Sequence, residues 1–396
     1  MQSDRIVLVA VVIFTGISLI LGSGAIPLRT IATSMPVKTS TTLDQVLQYD
    51  HEKNCSTDTA GKNASTNYLT NFNCGRVSVD SQGNVTREFT LSVKENQIVP
   101  ISTQGNTFEA WTFNGSIPGP TMRMTEGDHV KITLINSKDS KHSHSLHMHS
   151  IHPASMDGVE QGIVMPGQSY TYDFIARPFG LYPYHCHVDP IEDHVNRGLY
   201  GMMIIDPKTP RPQMKEMAML MNGYDLDYKQ LEKDSPFAMP KPGEIHGGAE
   251  ERGNEIYSVN GIGNEYADHP INLKVGEPVR IYLVNMLEFD LVNSFHLHGN
   301  MFNYYPSGTS IDRPEQFTDI VTLSQGDRGI IEFTPQYTGR YMFHAHQTEF
   351  TEKGWMGFFD ATTDGKPSTI TNTATHSTGT MPAMNNTMAH TNQKNS

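Results

Sequence analysis

The chain has 396 residues, enough for two domains of ordinary size with extensions, because a single hydrophobic core rarely outgrows about 250 residues. Its formal net charge is −13, which argues against a nucleic-acid partner because phosphate binding requires a basic surface. It contains 18 histidines and 3 cysteines, so the way these side chains cluster is more informative than their number.

The first residues are typical of a targeting segment. Arg5 precedes an apolar run over 6–21, and small residues follow at 22–25. A charged start, an apolar middle and a small-residue end form the pattern of a secretory signal. The run is slightly shorter than the roughly 20 residues that span a bilayer. Residues 1–27 therefore predict a cleaved signal peptide or a retained membrane anchor, and in both cases an exported protein (extracellular, periplasmic or pseudo-periplasmic).

Residues 28–86 are polar with little periodicity and predict a loosely structured extension. Cys55 and Cys74 lie in this extension, and in an oxidising compartment we expect them to form a disulfide. The sequence also has Asn-x-Ser/Thr sequons, which fit an exterior protein, at Asn54, Asn63, Asn84 and Asn114.

From residue 87 the pattern changes to short runs of β-forming residues separated by turn residues, which predicts an all-β sandwich or barrel. Examples of these runs are 89–93, 130–134, 170–174 and 200–205. The proline-rich tract 207–212 predicts a hinge. After it the pattern repeats, since 276–281 has the same turn and strand as 127–132. We therefore expect two tandem domains, 87–208 and 213–362, followed by a disordered polar tail, 363–396.

Twelve of the 18 histidines fall in four short segments. The segments are His142 to His152 (with His144, His147 and His149), His185 to His194 (with His187), His296 with His298, and His344 with His346. Each His-x-His pair is expected on a strand, where residues two apart share a face and can address one metal ion. One such pair would be a weak signal. Four pairs, two in each repeat, predict metal centres.

Cys186 stands between His185 and His187 and predicts a second kind of centre. One thiolate with two imidazoles makes a trigonal site that selects copper and suits electron transfer. His194, on the loop that leaves the strand, is the expected second ligand, and His144 is the candidate third ligand. Since His185 and His187 project to the face opposite the thiolate, a short covalent path would join the two kinds of centre.

The chain resembles a known family in three features. These are the segment 113–121 with Glu126 to Asp128, the His-x-His pairs and the His-Cys-His segment. Together they are similar to the multicopper oxidase family, over roughly residues 87–362. The resemblance implies two tandem cupredoxin-like Greek-key β-sandwich domains.

The resemblance also implies copper ligands. A type 1 copper would be bound by His144, Cys186 and His194. The position of the usual axial methionine is occupied by Leu199, with Met202 a nearby alternative. Asp157 matches the family's acidic residue that helps to deliver protons. One type 2 and two type 3 coppers, making about four coppers per chain, would be bound by His147, His149, His185, His187, His296, His298, His344 and His346.

The second repeat has Ala345 where a type 1 cysteine would stand, so we expect it to hold cluster ligands and no type 1 copper. Two-domain proteins of this kind resemble copper nitrite reductases, which are trimers, and a homotrimer is expected here by analogy.

Three functions remain open at this point. The first is a laccase-like oxidase that takes single electrons from a small-molecule or protein donor and reduces dioxygen to water. The second is a nitrite reductase that forms nitric oxide. It is weaker because those enzymes carry an aspartate in the place of His147 and lack His187, His298 and His346. The third, a copper carrier without catalysis, leaves eight histidines unexplained.

Overall fold

The computed structural model describes residues 41–56, 68–226 and 253–367. The predicted targeting segment, and all but the first residues of the predicted tail, lie outside these ranges. Within them, no helix is both long and apolar enough to cross a membrane.

The first repeat is a β-sandwich of two sheets. One sheet contains β1 (Cys55–Ser56), β2 (Phe72–Asn73), β6 (Met122–Thr125), β8 (His147–Met148), β10 (Gly180–His185) and β11 (Tyr200–Asp206). The other contains β3 (Arg76–Val79), β4 (Val85–Pro100), β5 (Thr107–Phe113), β7 (His129–Asn136) and β9 (Ser169–Ile175). Successive strands from β6 to β10 alternate between the sheets, so each crossing closes the sandwich around one core.

The second repeat forms a matching sandwich. Its inner sheet contains β12 (Lys215–Tyr224), β13 (Ile256–Val259), β15 (Val279–Asn285), β17 (Phe302–Pro306), β18 (Gln316–Thr318) and β20 (Arg328–Phe333). Its outer sheet contains β14 (Ile271–Lys274), β16 (Val292–Leu297), β19 (Ile320–Ser324), β21 (Gly339–His344) and β22 (Met356–Thr362). The helices are α1 (Leu43–Glu52), α2 (Ile191–Asn196), α3 (Glu265–Asp268) and α4 (Thr348–Glu352), with a 3-10 turn at Ala154–Met156. The fold is therefore all-β, with two tandem cupredoxin-like sandwiches, as predicted.

The two sandwiches share a third apolar core, so four sheets stack in layers. In β11, Met203 packs into the first sandwich while Met202 faces the second. In β12, Met219 packs into the second sandwich while Leu220 faces the first. Both strands are buried on both faces, which explains why they are continuously apolar in sequence rather than alternating.

The predicted hinge at 207–212 does not separate independent domains. Besides the shared apolar core, a buried ion network crosses between the sandwiches. Glu216 on β12 accepts hydrogen bonds from Arg123 on β6 at 2.8 Å, from Arg280 at 2.8 Å and from Lys53 at 3.2 Å. Although burial alone would raise the pKa of Glu216, these cations lower it well below its usual range. A large apolar interface with paired charges holds the two sandwiches as one unit.

The expectation of a loose extension is wrong for its described parts. Thr42 and Gln45 form a capping box at the start of α1. Asp50 at the end of this helix accepts two hydrogen bonds from buried Arg87 on β4, at 2.8 and 2.9 Å. The predicted disulfide between Cys55 and Cys74 is present. The ion pair leaves no periodic trace in the sequence, and the buried side chains of Tyr68, Leu69 and Phe72 form too short a run to predict this order.

Glu216→Gln tests the ion network. The substitution leaves three buried cations without their shared carboxylate, so we expect a loss of about 3–5 kcal/mol in the free energy of unfolding. Asp360→Asn, which breaks an exposed pair with Arg340, is the control and should cost no more than about 1 kcal/mol. Urea titration of both variants measures the difference, and equal small losses would contradict the assignment.

Candidate metal centres

Side chains at the end of β10 alternate between two environments. Tyr184 and Cys186 point into the core of the first sandwich and are fully buried, while His185 and His187 lie half-buried on the other side. The rings of His185 and His187 stack with their centroids 5.7 Å apart. This alternation follows from the period of two residues in extended backbone, and it places a thiol and an imidazole pair back to back.

On the core side, Cys186 meets two imidazoles. Its Sγ lies 3.1 Å from Nδ1 of His194 and 3.9 Å from Nδ1 of His144. His194 is carried by α2, and His144 is held by a bridge to Val164. The ligand atoms of the three residues lie within 4.8 Å of one another. The structure thus brings together the three predicted type 1 ligands.

The electrostatics of this group fit a cation. Burial raises the pKa of the Cys186 thiol to about 11, and burial together with His144 lowers the pKa of His194 to about 3. The imidazoles are therefore neutral, and a thiolate here requires a bound positive charge. A soft thiolate with two neutral imidazoles is a donor set that fits copper.

Leu199 lies beside this group. Its backbone oxygen accepts the N–H of Cys186 at 2.9 Å, and its fully buried side chain belongs to the same core. The alternative axial residue, Met202, belongs to the core shared by the two sandwiches instead. Leu199, rather than Met202, is thus on the core side with Cys186.

On the other side of β10, four imidazoles form the first histidine set, defined as His147, His149, His185 and His187. The ring of His147 lies 5.1–5.2 Å from each of the other three. The Nε2 atoms of His149 and His185 face each other at 3.2 Å. Burial and the neighbouring imidazoles lower the pKa of His149 to about 3, and burial lowers that of His185 to about 4. Neutral imidazoles with converging nitrogens can bind metal ions without first losing protons.

The second histidine set, defined as His296, His298, His344 and His346, repeats this geometry. The ring of His296 lies 5.0, 5.3 and 5.4 Å from the other three. The Nε2 atoms of His298 and His344 face each other at 3.0 Å, and the rings of His344 and His346 stack at 6.0 Å. His298 and His346 are exposed, so this set opens to the surface.

The two histidine sets do not meet within one chain. Among the described residues, every ring contact and hydrogen bond between cluster imidazoles joins members of the same set. The groupings of ligand atoms within 4.8 Å likewise never mix the sets.

The expectation that each His-x-His pair lies within a strand is wrong for the second histidine: in all four pairs the first histidine lies in a strand and the second follows the strand end. His185 and His344 are the last residues of β10 and β21, and their partners follow the strand end. The backbone stays extended enough for both rings to share a face. Backbone N–H groups of His187 and His346 are held by Ser145 and Ser294 Oγ, at 3.2 and 2.8 Å.

In the second repeat, the volume that matches the type 1 group is filled by apolar side chains. The matching backbone bonds run from Leu199 N to His194 O in the first repeat and from Trp355 N to Phe350 O in the second. Matching residues, first repeat before second, are Cys186 and Ala345, His194 and Phe350, and Leu199 and Trp355. Phe350 and Trp355 are buried in that sandwich's core. The absence of a second type 1 group, predicted from Ala345, is thus built into the packing of the described second repeat.

Asp157 lies beside the first histidine set. Its backbone oxygen accepts a hydrogen bond from Nδ1 of His147 at 2.9 Å, and its carboxylate oxygen is 3.1 Å from the same nitrogen. The sequence analysis missed the equivalent Asp319, whose backbone oxygen accepts from Nδ1 of His296 at 2.9 Å. These contacts turn Nε2 of both histidines toward their sets.

Glu95 is the second residue that the sequence analysis missed. Its carboxylate is 2.9 Å from Nε2 of His144 and 3.2 Å from Nδ1 of His142. Although burial alone would raise the pKa of Glu95, these hydrogen bonds lower it well below its usual range. A β-bulge between Lys94 and Gln97, with Asn96 at φ 55°, aims the side chain inward. The sequence signal available for this bulge was Glu95 followed by Asn96 inside a long run of β-forming residues.

Comparison with known proteins identifies the family. Multicopper oxidase profiles match residues 94–210 and 234–365. The chain is 41% identical to a structurally characterised multicopper oxidase, covering 78% of this chain and 99% of that protein with a TM-score of 0.67. The chain belongs to the multicopper oxidase family.

Relatives with another activity lie within the same family. The copper nitrite reductase of Nitrosomonas europaea is 29% identical, covering 72% of this chain and 96% of that one with a TM-score of 0.60. The copper-containing nitrite reductase of Neisseria gonorrhoeae is 31% identical over 249 residues, which is 61% of this chain and 60% of that protein. The chain is therefore a copper-dependent oxidoreductase. Its aligned part spans about three fifths of the gonococcal protein.

The lowered pKa values of the buried histidines predict acid sensitivity in the metal-free protein. The unfolded chain takes up these protons near pH 6.5 while the folded chain refuses them, so the free energy of unfolding should fall as pH drops from 7 to 5. His149→Gln should reduce this fall by about 2 kcal/mol. Gln336→Asn, an exposed substitution that removes no titrating group, should leave it unchanged. Urea titrations at both pH values measure the slopes, and an identical slope in all three proteins would refute the explanation.

Proposed function

We propose that this protein is a two-domain multicopper oxidase. It couples one-electron oxidation of a reductant at a type 1 copper to four-electron reduction of dioxygen to water at a three-copper cluster. The observation that carries the proposal is the pair of matched four-histidine sets, one of which lies back to back with the Cys186 thiol. Copper supplies the redox chemistry and the affinity for oxygen.

His144, Cys186 and His194 would hold the type 1 copper, and Leu199 would stand beside it as an apolar neighbour that cannot coordinate. A copper site that lacks a soft axial donor stabilises oxidised copper less, which favours a high reduction potential. From Cys186 the covalent backbone leads directly to His185 and His187 in the first histidine set. Electrons therefore travel a short bonded path to the cluster.

The cluster, with one type 2 and two type 3 coppers, forms between copies of the chain. Support comes from the separation of the two histidine sets within one chain. A head-to-tail ring lets the first set of each copy meet the second set of its neighbour, and a homotrimer closes such a ring. Exposed apolar side chains near the sets, Ile151 and Met301, suit burial at this contact.

Asp157 is proposed to handle protons at this cluster. Its carboxylate contacts His147 and is partly exposed to solvent, so it can hold a proton between water and the cluster.

Nitrite reduction to nitric oxide is the second candidate, favoured by the names of two relatives. That reaction needs one electron and a single type 2 copper. It gives no role to the full complement of eight imidazoles, including the exposed His298 and His346, so the oxidase is the stronger proposal.

We also propose that the protein is exported, by a cleaved signal or with a retained anchor. The disulfide between Cys55 and Cys74 supports an oxidising compartment, because such bonds are rare where thiols are kept reduced.

Copper content and activity of Cys186→Ser test the proposal. The parent chain should hold about four coppers, consume oxygen with an artificial donor and form little nitric oxide from nitrite. The variant should lose its blue colour and turnover while keeping the cluster copper, because serine does not replace the thiolate. Ala345→Ser, the matching change in the second repeat, is the control and should keep both. Two coppers per chain with rapid nitric oxide formation would favour the reductase.

A further inference from the structure

The three type 1 ligands have almost no contact with solvent. His144 and Cys186 are fully buried, and His194 is 2% exposed. An electron donor in solution therefore cannot touch a ligand of this site. Some other group must connect the site with the surface.

Trp111 and His142 cover the ligands on the surface side. The Trp111 ring meets the edges of His144 and His194, with centroids 5.5 and 4.9 Å apart. His142 lies against Trp111 with centroids 4.5 Å apart, and its side chain is 31% exposed. Of the two covering residues, His142 reaches solvent while Trp111 is buried.

A hydrogen-bonded bridge joins His142 to the type 1 ligand beneath it. Glu95, whose side chain is 3% exposed, contacts Nδ1 of His142 with one oxygen and Nε2 of His144 with the other. Backbone N–H groups of Lys141 and His142 donate to the same carboxylate at 2.9 and 3.0 Å. Four hydrogen-bond donors thus fix the Glu95 carboxylate, and its negative charge lies against His144.

A cavity of about 510 Å³ opens over this bridge. Its lining includes His142, Trp111 and charged groups of both signs, such as Lys141 and Glu109. Asn196 also lines it, is 4% exposed, and has neither its amide nitrogen nor its amide oxygen hydrogen-bonded. The size suits a small molecule, and the polar lining suits a hydrophilic one.

We infer that electrons enter the type 1 site through His142 and Glu95, from a small hydrophilic donor bound in this cavity. The inference rests on the proposed type 1 copper and not on the identity of the final acceptor. Glu95 acts as a positioning residue: it fixes Nδ1 of His144 toward Cys186, and its negative charge stabilises the oxidised copper. This effect opposes that of the apolar Leu199.

Anaerobic reduction by hydroquinone, followed to complete loss of the blue absorption, measures electron entry without a final acceptor. Each hydroquinone loses two electrons and two protons to become benzoquinone. The electrons enter type 1 coppers one at a time, reducing Cu(II) to Cu(I). Oxidised cluster copper then takes these electrons on until it is also Cu(I), and the protons pass to water. Because no oxygen or nitrite takes part, failure of the proposed oxidase reaction would not alter the result.

His142→Phe keeps a ring against Trp111 and removes the bond to Glu95. We expect bleaching at least tenfold slower, with the blue absorption and the reduction potential unchanged. The control is His129→Phe, which removes another imidazole paired with a carboxylate, Asp173, and should bleach at the parental rate. Bleaching of His142→Phe at the parental rate would overturn the inference.

Glu95→Gln provides an independent readout. Loss of the negative charge should raise the type 1 reduction potential, and bleaching by hydroquinone should slow despite the larger driving force. If Glu95 had a purely structural role, the substitution would change the blue absorption but would not raise the reduction potential while slowing the bleaching. If both potential and rate stay at parental values, Glu95 has no such role, and this result decides the matter even where His142→Phe fails to fold.

Discussion

The arrangement depends on one constraint: successive residues of an extended strand point to opposite sides. At the end of β10 this rule puts the Cys186 thiol in an apolar core and its two neighbouring imidazoles on the outer side of the same backbone. The two environments impose opposite chemistry. Burial makes a thiolate there dependent on a bound cation, whereas the two imidazoles lie half-buried outside that core. A shift of one residue would exchange these environments and destroy both centres.

The two repeats show how one scaffold either keeps or closes a metal site. In both, a serine hydroxyl accepts the backbone N–H of the second histidine of a pair, and an aspartate backbone oxygen orients another histidine. They differ at the core side of the strand, where Ala345, Phe350 and Trp355 fill the volume that the first repeat leaves for a thiol and two imidazoles. The described part of the second repeat therefore offers a histidine set without a buried thiol group beside it. Shared packing and buried ion pairs fix its position against the first repeat.

Much of this could be predicted from the sequence, because it resides in local spacing. His-x-His and His-Cys-His patterns specify which side chains share a face, and the three core-side residues that we predicted do converge. Contacts made by residues distant in sequence escaped prediction. Glu95 lies 49 positions from His144 and reaches it only through a bulge, and Asp50 pairs with Arg87 through charge, which leaves no periodic trace. The order of the extension was missed because its ion pair and its short buried segment 68–72 leave no periodic pattern.

The central claim is that imidazoles from two copies of the chain enclose each three-copper cluster. His147→Gln disables the first histidine set and His296→Gln disables the second, so each variant alone should lack oxygen uptake. When the two variants are co-expressed in equal amounts, about a quarter of the contacts between copies join two intact sets, and oxygen uptake should recover to about that fraction of the parental value. If mixed assemblies form and recover nothing, the cluster is not shared between chains and the account is wrong.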